Sequence, residues 1–182
     1  MSEKPTGPIA ACEVDGKTTV FYVDSHDFLV AKSNTVNKDA EFLQTKTKRR
    51  GNYSDVTIQV PDKNGELQDV KSETKDIAAV SFNIGTFQNP IIRASSRIYY
   101  IHTDGYLAEL AKDGNVNWSE GTLDLKRFPA VPNTPISCCL SNASDTIKVI
   151  YYRPEQNTRA PYVAWFNGTT GEWLTSWIVN DQ

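Results

Sequence analysis

Apolar positions along this chain come in short bursts, separated by polar turns rich in Gly, Asn and Asp. The clearest stretches are "TTVFYVDSHDFLVAK" (Thr18–Lys32), "RIYYIHTDGYLAEL" (Arg97–Leu110) and "IKVIYYRPEQNTRAPYVAWF" (Ile147–Phe166). Each holds two β-branched or aromatic runs with a turn between them, the signature of a hairpin. No stretch sustains an apolar period of 3.6, so the pattern predicts an all-β chain.

The bursts repeat. Segments opening at Ile9 ("IAACEVDGKTTVFYVDSHDFLVAK"), Ile77 ("IAAVSFNIGTFQNPIIRASSRIYYIHTDGYLAEL") and Ile136 ("ISCCLSNASDTIKVIYYRPEQNTRAPYVAWF") follow one order. A run of small and apolar residues comes first, then a turn, an aromatic strand, a second turn and another apolar strand. In the later two repeats a Trp follows a Gly-containing turn, at Trp118 and Trp173. Recurring units of three or four short antiparallel strands are how β-propeller blades read in sequence. The chain is expected to be a single domain over 1–182, with repeats at about 9–75, 77–130 and 134–182. Three blades do not close a ring, because propellers have about four to eight. Pairing of two chains into a six-bladed homodimer is the simplest closure.

The repeats differ between their strands. The second inserts "NIGTFQNPIIRASS" (83–96), read as a loop. The first carries a long tail in which "VTIQVPDKNGELQDV" alternates like an exposed hairpin. Cys12, Val80 and Cys139 share one slot, three residues after the opening Ile, where a small core side chain fits.

Composition narrows the function. A chain of 182 residues with 39% hydrophobic and 23% charged residues suits one globular core. The net charge of −3 argues against nucleic acid as a partner, since phosphate binding needs clustered cations. The basic run Lys46–Arg50 reads as a solvated loop. No run of apolar residues is long enough for a membrane span. The N-terminal residues lack a secretory h-region, so a cytoplasmic location and free thiols at Cys12, Cys138 and Cys139 are expected. Vicinal cysteines lack zinc-site spacing, and His26 and His102 both sit at turns. No metal and no cofactor is expected, and no hydrolytic motif is present.

One pair of charges stands out. Arg97 and Glu109 lie on the two arms of an otherwise apolar and aromatic hairpin. A two-residue turn at Asp104-Gly105 would place them on opposite faces. A three-residue turn, Thr103-Asp104-Gly105 with a left-handed Gly, pairs Glu109 with Tyr99 and puts Arg97 one diagonal step away on the same face. The pair is then either a ligand grip or a plain ion pair worth about 0–1 kcal/mol if exposed.

"IAAV" followed by "RIYYIHTDGYLAELAKDGNVNWSEG" resembles a blade of the fungal fucose-specific lectins of the Aleuria type, which are six-bladed propellers. The resemblance is clearest over Ile77–Trp177 and fainter over Ile9–Phe42. It implies a sugar held between neighbouring blades, with Arg97 and Glu109 on its hydroxyls and ring oxygen. It implies an aromatic wall from the next repeat, at Trp173, with Trp165 and Trp177 nearby. Related bacterial lectins assemble six blades from shorter chains, which accords with a homodimer. An Arg fork and a carboxylate suit adjacent hydroxyls, and an aromatic face suits the C–H side of a sugar ring.

The pair is not repeated. Thr19 and Ala31 occupy its slots in the first repeat, and the aligned words place Val149 and Trp165 there in the third. A lectin that binds a glycan is therefore one reading. A biosynthetic enzyme on the same scaffold, guiding a dehydration, cyclisation or hetero-Diels–Alder cycloaddition of a small molecule, is another. Its candidates are Arg97, Glu109, His102, Tyr99, Tyr151 and the tryptophans. A scaffold without a ligand is the third.

Overall fold

The computed structural model describes residues 7–14, 17–34, 53–86, 89–114, 116–141, 146–155 and 158–178. The basic run Lys46–Arg50 lies outside them. The fold is all-β, with one 3₁₀ helix, Thr122–Lys126, among the described residues.

Strands β1 (Ala10–Val14), β2 (Lys17–Val23), β3 (Leu29–Asn34) and β4 (Tyr53–Thr57) form the first sheet, in that order. A small hairpin follows, β5 (Gln59–Pro61) with β6 (Leu67–Asp69), turned at Gly65 with φ +82°. The second sheet holds β7 (Ala78–Thr86), β8 (Asn89–Ile101), β9 (Leu107–Asp113) and β10 (Ser119–Glu120). The third holds β11 (Ser137–Ser141), β12 (Thr146–Glu155), β13 (Thr158–Asn167) and β14 (Glu172–Trp177). All neighbours are antiparallel, and sequential strands lie side by side. The first strands of the three sheets are neighbours in space, with β7 touching both β1 and β11.

The insertion expected as a loop at 83–96 is strand instead. Its residues extend β7 and β8 into one long hairpin, paired from Ala78↔Tyr99 out to Thr86↔Asn89 with a register shift between Ile84 and Thr86. "PIIRA" carries enough β-branched residues to pair, which the Gly and Asn nearby obscured.

The alternation of side chains along each strand divides the core in two. Phe21, Val23 and Leu29 of the first sheet pack against Ile98, Tyr100, Ala108 and Leu110 of the second. Tyr99, Ile101 and Leu107, on the opposite face of the second sheet, pack against Ile147, Val149, Tyr151, Ala164 and Trp173 of the third. The second sheet is thus buried on both faces.

Register corrects the alignment of the third repeat. Counted from the opening Ile, Ala10↔Phe21, Ala78↔Tyr99 and Ser137↔Ile150 are equivalent pairs. The residue matching Tyr99 is therefore Ile150, not Tyr151. The counterparts of Arg97 and Glu109 become Lys148 and Val163, rather than Val149 and Trp165, because Lys148 pairs with Cys139 and Ile150 with Val163. A one-residue slip reverses the face. Tyr151 accordingly points back at the second sheet, while Ile150 points away and is 39% exposed. The repeated Tyr-Tyr words misled because the two tyrosines serve different faces in the two sheets.

Candidate functional site

The Arg97 hairpin adopts the three-residue turn. Gly105 has φ +78°, its N–H donates to the His102 carbonyl at 2.8 Å, and Tyr99 pairs with Glu109. Arg97 pairs with Ala111, so its side chain emerges beside Glu109 on the face turned to the third sheet.

Between those sheets lies a cleft of about 360 Å³. The second sheet contributes Phe82, Arg97, Glu109 and Asp113, and the third contributes Ile147, Phe166 and Trp173. Arg97 Nε lies 3.6 Å from Glu109 Oε1, with the two side chains 15% and 4% exposed. This is a mostly buried pair, not the exposed ion pair that its sequence also allowed. Arg97 Nη1 donates to Asp113 Oδ1 at 2.8 Å, to the Ser96 carbonyl at 3.0 Å and to the Ser95 hydroxyl. The guanidinium also stacks over Phe82, 5.4 Å from its centroid.

Glu109 is held from two sides. Tyr99 donates its hydroxyl to Oε1 at 3.1 Å, and the Leu123 backbone N–H donates to Oε2 at 3.3 Å. Burial pushes the Glu109 carboxyl above its ordinary value, and Arg97 and these two donors oppose the shift. Burial and then the Glu109 charge push the Tyr99 phenol well up, so it remains a donor.

Trp173 forms the facing wall. Its indole meets Tyr99 edge-on, centroids 6.0 Å apart at 73°, and leans on Phe166 at 5.7 Å. Its Nε1–H donates to Thr122 Oγ1 at 3.1 Å, which anchors the ring to the 3₁₀ helix.

Of the sequence candidates, Arg97, Glu109 and Trp173 converge on this cleft, with Tyr99 directly beneath. Tyr151 lies deeper in the same core, its hydroxyl 3.2 Å from Thr175 Oγ1. Trp165, opposite Lys148, faces away on the outer face of the third sheet. His102 stays at the hairpin turn, stacked on Tyr106 at 4.6 Å with Nδ1 accepting the Asp104 N–H. Among the described residues no cluster of His, Cys, Asp and Glu is arranged to hold a metal.

Phe82, Asp113, Ile147, Phe166, Gly121 and Thr122 also line the cleft and were not singled out from sequence. Alternation along β13 would have found Phe166, two positions beyond the buried Ala164. Nothing in "EGTLDLK" announces a helix that replaces a strand.

Residues 50–175 match the family described as fungal fucose-specific lectin. Among curated proteins none matches the chain. Among solved structures, a fucose lectin from Kordia zhangzhouensis in complex with methyl-fucoside shares the fold, with a TM-score of 0.56 at 15% identity. The similarity covers 95% of this chain and 100% of that one. The family match spans well over half of the sequence and includes the whole Arg97–Glu109 hairpin, so this chain belongs to the fungal fucose-specific lectin family.

Proposed function

We propose that the chain binds a fucose-type carbohydrate in the cleft between its second and third sheets. The observation that carries this reading is the buried Arg97–Glu109 pair, 3.6 Å apart and faced by Trp173 across an open cleft. Guanidinium donors and carboxylate acceptors side by side match vicinal hydroxyls, and the indole edge and Phe166 offer apolar area to the ring C–H face. Family membership supports the same ligand class. The cyclising-enzyme alternative gains no support from either comparison.

We further propose a homodimer that closes six sheets into a propeller. The faces of the first and second sheets that carry Phe21 and Tyr99 are covered by the next sheet, whereas the equivalent face of the third leaves Ile150 and Leu174 39% and 38% exposed. In a two-fold dimer that face of each copy meets the first sheet of the other.

Titration calorimetry with methyl-fucoside tests the first reading. Saturable binding that Arg97→Ala abolishes is expected, and no binding by the folded wild-type chain would refute it. Sedimentation tests the second, where a stable monomer at micromolar concentration would rule out the dimer.

A further inference from the structure

The short helix after β10 does something a strand could not. At the position opposite Glu109, the outer strand of the second sheet stops and Gly121 begins the turn into Thr122–Lys126. Four contacts join this segment to the two walls of the cleft. Gly121 N–H donates to the Glu109 carbonyl at 2.8 Å. Asp124 Oδ1 accepts the Glu109 N–H at 2.6 Å. Leu123 N–H donates to the Glu109 carboxylate, and Thr122 accepts the Trp173 indole N–H. Leu123 itself is fully buried in the core beneath. A Cβ on Gly121 would overlap the Glu109 carboxylate, so the missing side chain is the space the acid occupies.

We propose that Asp124 is a positioning residue for the sugar site: by holding the Glu109 backbone N–H it seats the helix that orients both the Glu109 carboxylate and the Trp173 indole. This rests on the reading of the cleft as a carbohydrate site. Asp124 Oδ1 accepts the Glu109 N–H in either protonation state, and burial makes the seated helix favour the protonated acid over the charged one. Burial first, opposed by the bond from Glu109 N–H and aided by the Glu109 and Glu120 charges, raises its carboxyl to about 7. Glu109 on β9, Glu120 on β10, Tyr100 on β8 and Tyr106 at the hairpin face it, and Arg127 stacks over Tyr106 at 5.1 Å. On the helix itself Lys126 pairs with Glu172 at 3.7 Å.

The test uses the whole chain, calorimetry with methyl-fucoside between pH 6 and 8.5, and the indole N–H resonance of Trp173 without ligand. Asp124→Ala is expected to weaken binding about tenfold and to shift that resonance, while Asp124→Asn, which keeps an acceptor, stays within about threefold of wild type. Because burial makes the seated helix favour the protonated acid, wild-type affinity is expected to weaken as the pH rises through about 7, and Asp124→Asn to lose that dependence. An alanine variant with wild-type affinity and an unmoved resonance overturns the proposal, as does an asparagine variant that keeps the wild-type pH profile. If wild type binds no methyl-fucoside yet the resonance moves in Asp124→Ala, the positioning stands and the ligand reading fails. A Gly121→Ala variant provides the independent check, since it is expected to displace the carboxylate while leaving Asp124 in place.

Discussion

Two inter-sheet clefts among the described residues are built on one plan, and they carry different chemistry. The cleft between the first and second sheets, about 320 Å³, has Thr19 and Ala31 where the other has Arg97 and Glu109. Its tryptophan is in place, because Trp118 meets Phe21 edge-on at 5.8 Å as Trp173 meets Tyr99. Polarity is inverted across it. Thr19 and Ser33 share a 2.9 Å hydroxyl contact on one wall, and the cation moves to the other as Lys112, the register counterpart of Phe166. The outer strands differ too. In the first sheet Val56 of β4 pairs with Ala31, whereas Gly121 stands opposite Glu109. On the proposed reading, the grip around Arg97 and Glu109 therefore involves more than its two charged residues. A missing side chain at Gly121 leaves room for the carboxylate, and the helix supplies it with the Leu123 N–H.

The largest expected difference between the clefts lies in their tryptophans. Trp173 is 2% exposed, so Trp173→Ala should cost about 3–5 kcal/mol in urea unfolding, while the more exposed Trp118 should cost clearly less on truncation. Equal losses would break the distinction. Next comes the cation. Arg97→Ala should reduce methyl-fucoside affinity about 100-fold or more by calorimetry, while Lys112→Ala leaves it unchanged.

A smaller effect is the pH dependence of stability. The Asp124 carboxyl stands at about 7 in the folded chain against an ordinary 3.8, so the folded state holds an extra proton between those values. That contribution is complete below about 4 and is lost as the pH rises through about 7. Wild type should therefore lose more of its melting temperature than Asp124→Asn does between pH 5 and 8.5. A parallel decline of the two curves would count against it. Smallest of all is a null result. Thr19→Arg with Ala31→Glu should add no second site, and calorimetric stoichiometry should stay at one per chain, because Val56 fills the place of Gly121. A doubled stoichiometry would show that two charges suffice.

Much of this was legible in the sequence. Alternating bursts and Gly turns identify the sheets, and the Asp104-Gly105 turn offers the register that brings Arg97 beside Glu109. Inner-strand equivalence was legible as well, since Val80 and Cys139 keep one slot, but the core role expected of that slot fails at Cys139, which is exposed. The aromatic word Tyr-Tyr was a poor guide, because identity at two adjacent positions says nothing about which one faces which sheet. The third repeat's longer arm, with Pro161 and Tyr162 ahead of Val163, shifted the apparent match to Trp165. Least legible was the helix at Thr122–Lys126. It owes its place to contacts with Glu109 and Trp173, distant in sequence, rather than to any local propensity.

The Glu109–Gly121 and Ala31–Val56 pairs amount to an exchange of volume between neighbouring strands. On the proposed reading, such an exchange makes a second grip in the first cleft hard to reach by single substitutions. Placing Glu at 31 alone would set a carboxylate beside the Val56 side chain, and trimming the exposed Val56 alone would only open space to solvent. Neither single step reproduces the pairing of Glu109 with Gly121, so relatives should carry a small residue at the 121 position wherever they carry an acid at 109.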